Sequence, residues 1–341
     1  MRSLETERLL LRKFEKGDFA DVHSYASSMD NVTYMTWGPN SEENTKAFID
    51  FAISKAAESP CANYQYAAVL KANEKLIGAV NLALSDDEAE TGWILNKDYW
   101  NQGYGTEMGA EMLRLGFHDL NLRRIIAHCD AENIGSYKLM EKIGMRREGL
   151  FIEGRKAHKL SDREHGDELS YAILKDEWEM RGEMEHYNAS PCRFDGFIEL
   201  PELSDGVIHL VCTNKSPANH EKKHVPQYEF IICKGSEKVG ELNLRIGYTD
   251  SLYFGGQIGY GTDEQHRGKG YAGLACRLIL PVARAHEMKV LLITNDHAND
   301  ASRRVCEKMG ARLVRTARLP DWHDLYKEGR RFSNIFEWRF D

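Results

Sequence analysis

Gln265-His266-Arg267-Gly268-Lys269-Gly270-Tyr271 decides the fold once its surroundings are set beside it. An apolar-periodic helical pattern, Leu274 to His286, follows directly. Thirty-one residues beyond Gly268 comes Asn299-Asp300-Ala301-Ser302, then Glu307-Lys308-Met309-Gly310. The first half of the chain repeats the arrangement. Asn101-Gln102-Gly103-Tyr104-Gly105-Thr106 precedes a helical pattern from Met108 to Leu120. Asn133-Ile134-Gly135-Ser136 comes thirty residues beyond Gly103, then Glu141-Lys142-Ile143-Gly144. The Asn-to-Gly spacing is eleven in both copies, and the copies lie 165–166 residues apart. Such agreement is duplication at domain scale, with Gly103 matched to Gly268 and Gly105 to Gly270.

Periodicity fills in each copy. The first opens with a strand, Leu9 to Phe14, then helices at Asp18 to Ser27 and Glu42 to Glu58. Strands follow at Tyr66 to Leu70, Leu76 to Leu84 and Glu90 to Leu95. After the loop and its helix come a strand, Arg124 to Cys129, a helix, Ser136 to Ile143, and strands near Met145 to Gly149 and Leu169 to Leu174. The second copy repeats this order from Ile208 to a final strand near Ile335 to Phe340. It has only about sixteen residues, Thr213 to Tyr228, where the first has fifty and two helices. The expected fold class is α/β (α+β), in two domains, 1–180 and 206–341, joined by a polar linker, 181–205. Each domain carries a mixed, mostly antiparallel sheet flanked by helices.

The glycine loops point to a phosphate. A helix start leaves backbone N–H groups unpaired, and with the positive end of the helix dipole they bind anions. Glycine permits close approach and the backbone angles required. Gly268-Lys269-Gly270-Tyr271-Ala272-Gly273 also matches a dinucleotide-binding fingerprint. That reading fails because several strands precede the loop and the following strands, Arg124 to Ala127 and Val290 to Thr294, lack a carboxylate for a ribose.

Bulk properties narrow the class further. The 341 residues carry a net charge of −8, which argues against a nucleic-acid partner. The start, Met1 to Arg8, is charged, and no apolar run approaches the ~20 residues that span a membrane. Seven scattered cysteines without a C-x-x-C pair fit a reducing cytoplasm with no disulfide framework and no metal site.

On these residues the chain resembles the GNAT superfamily of N-acetyltransferases, whose coenzyme A pyrophosphate loop reads Q/R-x-x-G-x-G/A. The second copy fits it completely from Gln265 to Gly270, while the first has Trp100 in the opening position. Tyr99 to Glu107 and the opening Glu5-Thr6-Glu7-Arg8-Leu9-Leu10-Leu11-Arg12 are similar to the branch that acetylates ribosomal-protein N-termini. The resemblance implies a sheet splayed between its fourth and fifth strands, with acetyl-CoA as cosubstrate and a primary amine as acceptor. It places the pantetheine arm along Ile94-Leu95 and Tyr260-Gly261. The pyrophosphate falls to Gln102, Gly103, Tyr104, Gly105 and Thr106, and to Gln265, Arg267, Gly268, Lys269, Gly270 and Tyr271. Asn133, Ser136, Asn299 and Ser302 would line the cofactor.

Acyl transfer to an amine needs a base, and the leaving thiolate benefits from an acid. Glu90 matches the family's catalytic glutamate, and the second copy has Gln257 there, which cannot accept a proton at neutral pH. The family's acid tyrosine would fall at Met140 and Cys306, so Tyr137 is the nearest substitute. The first copy is therefore expected to do the chemistry and the second to bind coenzyme A structurally or to serve a different acceptor by proximity alone. A non-catalytic acyl-CoA sensor and a transferase for another acyl group are the alternatives.

Overall fold

Alternation in the third strand of the first copy shows how the sheet is covered. Tyr66, Ala68 and Leu70 join one apolar cluster, and Ala67 and Val69 join another, so both faces are packed. The computed structural model describes residues 1–157, 164–219, 221 and 224–340. They form two compact units, Met1–Glu179 and Met180–Asp341.

The first unit runs β1 (Leu4–Glu5), β2 (Leu9–Arg12), α1 (Phe19–Ala26), α2 (Met29–Val32), α3 (Glu42–Ala57), β3 (Asn63–Leu70), β4 (Leu76–Ser85), β5 (Glu88–Leu95), α4 (Tyr104–Arg114), β6 (Arg124–Asp130), α5 (Ile134–Lys142), β7 (Arg146–Lys156) and β8 (His165–Leu174). The sheet order is β1-β2-β3-β4-β5-β6-β8-β7. Helices α4 and α5 cover one face through Met108, Met112, Leu139 and Met140. The other face is covered by α1 and α3 through Val22, Tyr25, Ile49 and Ala52.

Among the described strands of this unit only β5 and β6 run parallel, and their pairing stops after Glu88↔Arg124, Ala89↔Ile125 and Glu90↔Ile126. From Thr91 to Leu95, β5 stays paired with β4 alone, so the sheet splays open there. On the β4 side the two backbones are pressed close. A Cβ on Gly78 would lie 2.3 Å from the Ile94 carbonyl oxygen, which only glycine avoids.

Helix α6 (Lys175–Asn188) carries the chain across the division between units. The second unit continues with β9 (His209–Ser216), β10 (Gln227–Lys234), β11 (Glu237–Arg245), α7 (Asp250–Gly255), β12 (Ile258–Thr262), α8 (Tyr271–Leu278), α9 (Leu280–Ala285), β13 (Val290–Asp296), α10 (Asp300–Met309), β14 (Arg312–Arg318), α11 (Asp324–Lys327) and β15 (Phe332–Arg339). Its order is β14-β15-β13-β12-β11-β10-β9, and the parallel pair β12–β13 meets only at Ile258↔Ile293. A Cβ on Gly240 would again lie 2.3 Å from a carbonyl oxygen, that of Gly261.

Two differences from the sequence reading have physical causes. The helix expected over Leu274 to His286 is two helices, because Pro281 sits in the first turn of α9 and cannot donate to the preceding turn. Residues 181–188 of the expected linker are helical. There Glu183 pairs with Arg315 at 2.8 Å, and the Tyr187 hydroxyl donates to Glu337 at 2.9 Å. Between β9 and β10 the described residues form no helix, so the face carrying Glu229, Glu241, Asn243 and Arg245 has no counterpart of α1 and α3. Helix α7 lies instead between β11 and β12, where the first unit has only a short turn.

Candidate functional site

The loop after each splayed strand is built alike, though not in the register that the glycines suggest. In the first unit β5 ends at Leu95 and a 3-10 turn spans Lys97–Tyr99; in the second β12 ends at Thr262 and the turn spans Glu264–His266. Two left-handed residues follow in each: Asn101 and Gly103 (φ 58° and 86°), Gly268 and Gly270 (φ 76° and 81°). Asn101 therefore answers to Gly268, and Gly103 to Gly270, a shift of two from the sequence matching. Asparagine tolerates the left-handed region, so it stands where the motif has its first glycine.

Gly105, expected to be a loop glycine, is helical, and a Cβ there would meet Leu139 at 2.7 Å. It lets α4 approach α5. Helix α4 starts at Tyr104 with Gly103 as its cap, and Glu107 is the first residue whose N–H bonds back, 3.1 Å to Gly103. The N–H groups of Tyr104, Gly105 and Thr106 are thus left without an intrahelical acceptor.

The opening Thr6 and Arg8 brace this loop. Thr6 donates to Glu107 at 2.5 Å, Arg8 Nε donates to the same carboxylate at 2.8 Å, and Arg8 Nη1 donates to the Gln102 carbonyl at 3.0 Å. Burial pushes the Glu107 carboxyl up, but the hydrogen bonds from Thr6 and Arg8 outweigh it and hold it low.

A cavity of about 1160 Å³ runs through the first unit from this loop, through the splay, to the α1–α3 wall. That exceeds the roughly 300–1,000 Å³ of a typical ligand pocket. Gly103, Gly105, Thr106, Asn133 and Ser136 line its loop end, Gly92 to Leu95 its middle, and Tyr25, Tyr34, Trp37 and Phe48 its far end. The Trp100 indole donates to the Leu95 carbonyl at 2.7 Å, which ties the loop to the splayed strand.

Other expected residues fall differently. Gln102 donates to the Asp98 carbonyl at 3.0 Å, and Tyr104 lies under the Arg8 guanidinium at 4.2 Å; neither lines the cavity. Asn133 caps α5, its side chain accepting from Ser136 N at 3.1 Å. Tyr137 packs against the α4–α5 apolar cluster instead of facing the cavity, because it sits on the buried side of its helix. Glu90 is exposed on β5, at the last paired position before the splay, and also lies outside the lining.

Residues that sequence reasoning did not single out take these places. His128, Asp130 and Arg155 line the cavity with Gln65 and Asn81. In β6 the buried Ile125, Ala127 and Cys129 alternate with His128 and Asp130, so the period-two pattern would have put both on the opposite face. His128 Nδ1 lies 3.5 Å from Glu168, and Arg155 Nη1 lies 3.9 Å from Asp130. Arg155 Nη2 donates to the Tyr34 carbonyl at 3.0 Å.

In the second unit Asn299 caps α10 by accepting from Ser302 N at 3.0 Å, and Tyr271 is buried at the start of α8. Gln265, Arg267 and Lys269 are exposed on the loop. The Tyr260 hydroxyl is 2.9 Å from Ser302 Oγ and 3.9 Å from Cys306 Sγ. Tyr260 and Gly261 also line a cavity of about 480 Å³ beside Glu229, Glu241 and Asn243, where the described residues place no helix. Gln257, at the position of Glu90, is fully buried: it accepts from Leu292 N at 2.6 Å and donates to Gly247 O at 3.2 Å. That amide is a structural bridge. Among the described residues no helix is long and apolar enough to cross a membrane.

Comparison with known proteins shows the family. The acetyltransferase (GNAT) domain family matches residues 8–146 and 202–312. "Uncharacterized N-acetyltransferase YnaD" of Bacillus subtilis (strain 168) is 38% identical over 177 residues, 51% of this chain and 98% of that protein. "Uncharacterized N-acetyltransferase p20" of Bacillus licheniformis is 31% identical over 46% of this chain and 89% of its own. A crystal structure of a GNAT-family acetyltransferase from Bacillus anthracis shares 36% identity over 51% of this chain and 99% of its own, with a TM-score of 0.45. With the domain matched in both of its units, the chain belongs to the GNAT acetyltransferase family, and it is an acyltransferase.

Proposed function

We propose that the first unit transfers an acetyl group from acetyl-CoA to a primary amine, and that the second binds coenzyme A without turnover. The cavity carries this reading, because it joins a phosphate-type loop, a splayed strand and an acceptor wall in one space. Its residues fit the cosubstrate: the free N–H groups at the start of α4 suit a pyrophosphate, and the β5 edge that no described strand pairs beyond Glu90, where only the Leu95 carbonyl is already engaged by Trp100 and Asn31, suits the amides of a pantetheine arm along Ile94-Leu95. Acetyl-CoA supplies an acetyl thioester there. A backbone N–H of β5 would hold the carbonyl oxygen as charge develops on it.

Among residues lining the cavity, His128 is the best placed to take the proton that leaves the acceptor nitrogen as its bond to the acetyl carbon forms and the carbon–sulfur bond breaks. Glu90 would reach the same proton only through water. His128→Asn should lower kcat by roughly 10²-fold or more, and Glu90→Gln by less than about tenfold. The reverse ranking would restore Glu90 as the base.

The division of labour rests on the β9–β11 face of the second unit, where the described residues form no counterpart of α1 and α3, and on Gln257, whose amide is already engaged. A thiol-release assay with acetyl-CoA against an amine library tests it. Gly103→Val should cut turnover at least about tenfold, since a branched residue in left-handed backbone costs roughly 1–2 kcal/mol. Gly270→Val should leave turnover within about twofold. Turnover lost only with Gly270→Val would overturn the assignment.

A further inference from the structure

Buried polar side-chain atoms in folded proteins almost always find a partner, and each one left alone costs about 1–3 kcal/mol. Among the described residues four such atoms make no hydrogen bond: Tyr25 Oη, Arg155 Nε, and His128 Nδ1 and His266 Nε2, which face the carboxylates of Glu168 at 3.5 Å and Glu237 at 3.2 Å. The first three belong to residues that line the first unit's cavity, at its acceptor end. Arg155 is the most informative. Its side chain is only 13% exposed, its Nε meets no acceptor, and its nearest carboxylate, Asp130, stands at 3.9 Å, beyond hydrogen-bond length. One bond to the Tyr34 carbonyl fixes where the guanidinium points.

We propose that the acceptor is a small aminocarboxylate, its carboxylate held by Arg155 and its amine presented to His128. This rests on the N-acetyltransferase reading of the same cavity. A buried guanidinium short of acceptors is matched by a carboxylate, whose two oxygens meet the planar fork in parallel. The spacing also fits. Asp130 lies beside Arg155, and His128 is two residues back on the same face of β6, about 7 Å away along a strand. A carboxylate at Arg155 therefore leaves an amine one to a few carbons away within reach of His128. Tyr34, Trp37 and Phe48 offer an apolar wall for the rest of the molecule. A polyamine offers Arg155 only positive charge, and a protein N-terminus carries no carboxylate near its amine.

The test compares free amino acids with their amides and decarboxylated amines, using spermine and a short N-terminal peptide as further acceptors. The wild type should acetylate at least one acid with kcat/KM about 30-fold or more above its own amide. Arg155→Gln should bring that ratio close to one, mainly through KM for the acid, and Arg155→Lys should keep part of it. Calorimetry on the coenzyme A-loaded protein should show the acid binding and the variant losing that binding. Equal rates for acid and amide, preference for spermine or the peptide, or an Arg155→Gln defect that lowers both alike would overturn the proposal. If amines are acetylated without carboxylate preference, the transferase reading stands and this one falls; if coenzyme A does not bind and no amine is acetylated, both fall.

Discussion

Cysteine chemistry follows burial in this chain. Cys129 and Cys306 lie inside the α4–α5 and α8–α10 packing, and burial pushes both thiols up to about 11. Cys306 stands where the family places its acid tyrosine, and with so little thiolate it behaves as an apolar filler. Iodoacetamide at neutral pH should label the half-buried Cys61 and Cys212 at least about tenfold faster than Cys129 or Cys306, as read by peptide mass spectrometry. Gly78 carries a second expectation at this scale. A methyl group 2.3 Å from the Ile94 carbonyl cannot be absorbed without moving β4 or β5. Gly78→Ala should destabilise the protein by about 1–3 kcal/mol in urea titration and weaken acetyl-CoA binding with it.

At the scale of elements, α6 and the sheet of the second unit meet at a carboxylate. Glu337 on β15 is 5% exposed and accepts from Tyr187 of α6 at 2.9 Å, Arg339 at 2.8 Å and Arg312 at 3.1 Å. Burial pushes its carboxyl up, yet these hydrogen bonds overcome that and bring it down to about 2. A carboxylate lowered from the usual ~4.3 stabilises the fold fully above that value and loses the effect as pH falls towards 2. Thermal melts from pH 6 down to 2.5 should therefore show a loss that Glu337→Gln flattens, with the variant already less stable at pH 7 by about 1–3 kcal/mol.

Most strands and helices were legible in the sequence, because alternation and the 3.6-residue period come straight from which faces are buried. The break at Pro281 is written in the sequence too, but the apolar pattern runs through it without interruption. The register of the two loops was not, since letter matching pairs glycine with glycine, whereas backbone conformation pairs Asn101 with Gly268. Arg155 was out of reach for another reason. It enters the cavity from a long edge strand, through a contact with Tyr34 that lies 121 residues away in sequence.

For the whole molecule, the proposed reading of two loops with paired left-handed residues gives two sites for the cosubstrate on one chain. Titration calorimetry should count about two coenzyme A molecules per chain in the wild type and about one in Gly270→Val, which still turns over. A single site in the wild type would assign the second unit a role without coenzyme A.

Gly78 and Gly240 lie outside both loop motifs, yet each spares its strand the same collision with a carbonyl oxygen. On the proposed division of labour the second unit no longer answers for turnover, and its counterpart of Glu90 has become a buried strut while Gly240 remains. A duplicated gene relieved of one duty keeps the letters that shape demands and releases those that chemistry demands. The two halves of this chain are thus a record of inheritance, in which the architectural constraints on a GNAT sheet can be read apart from the enzymatic ones.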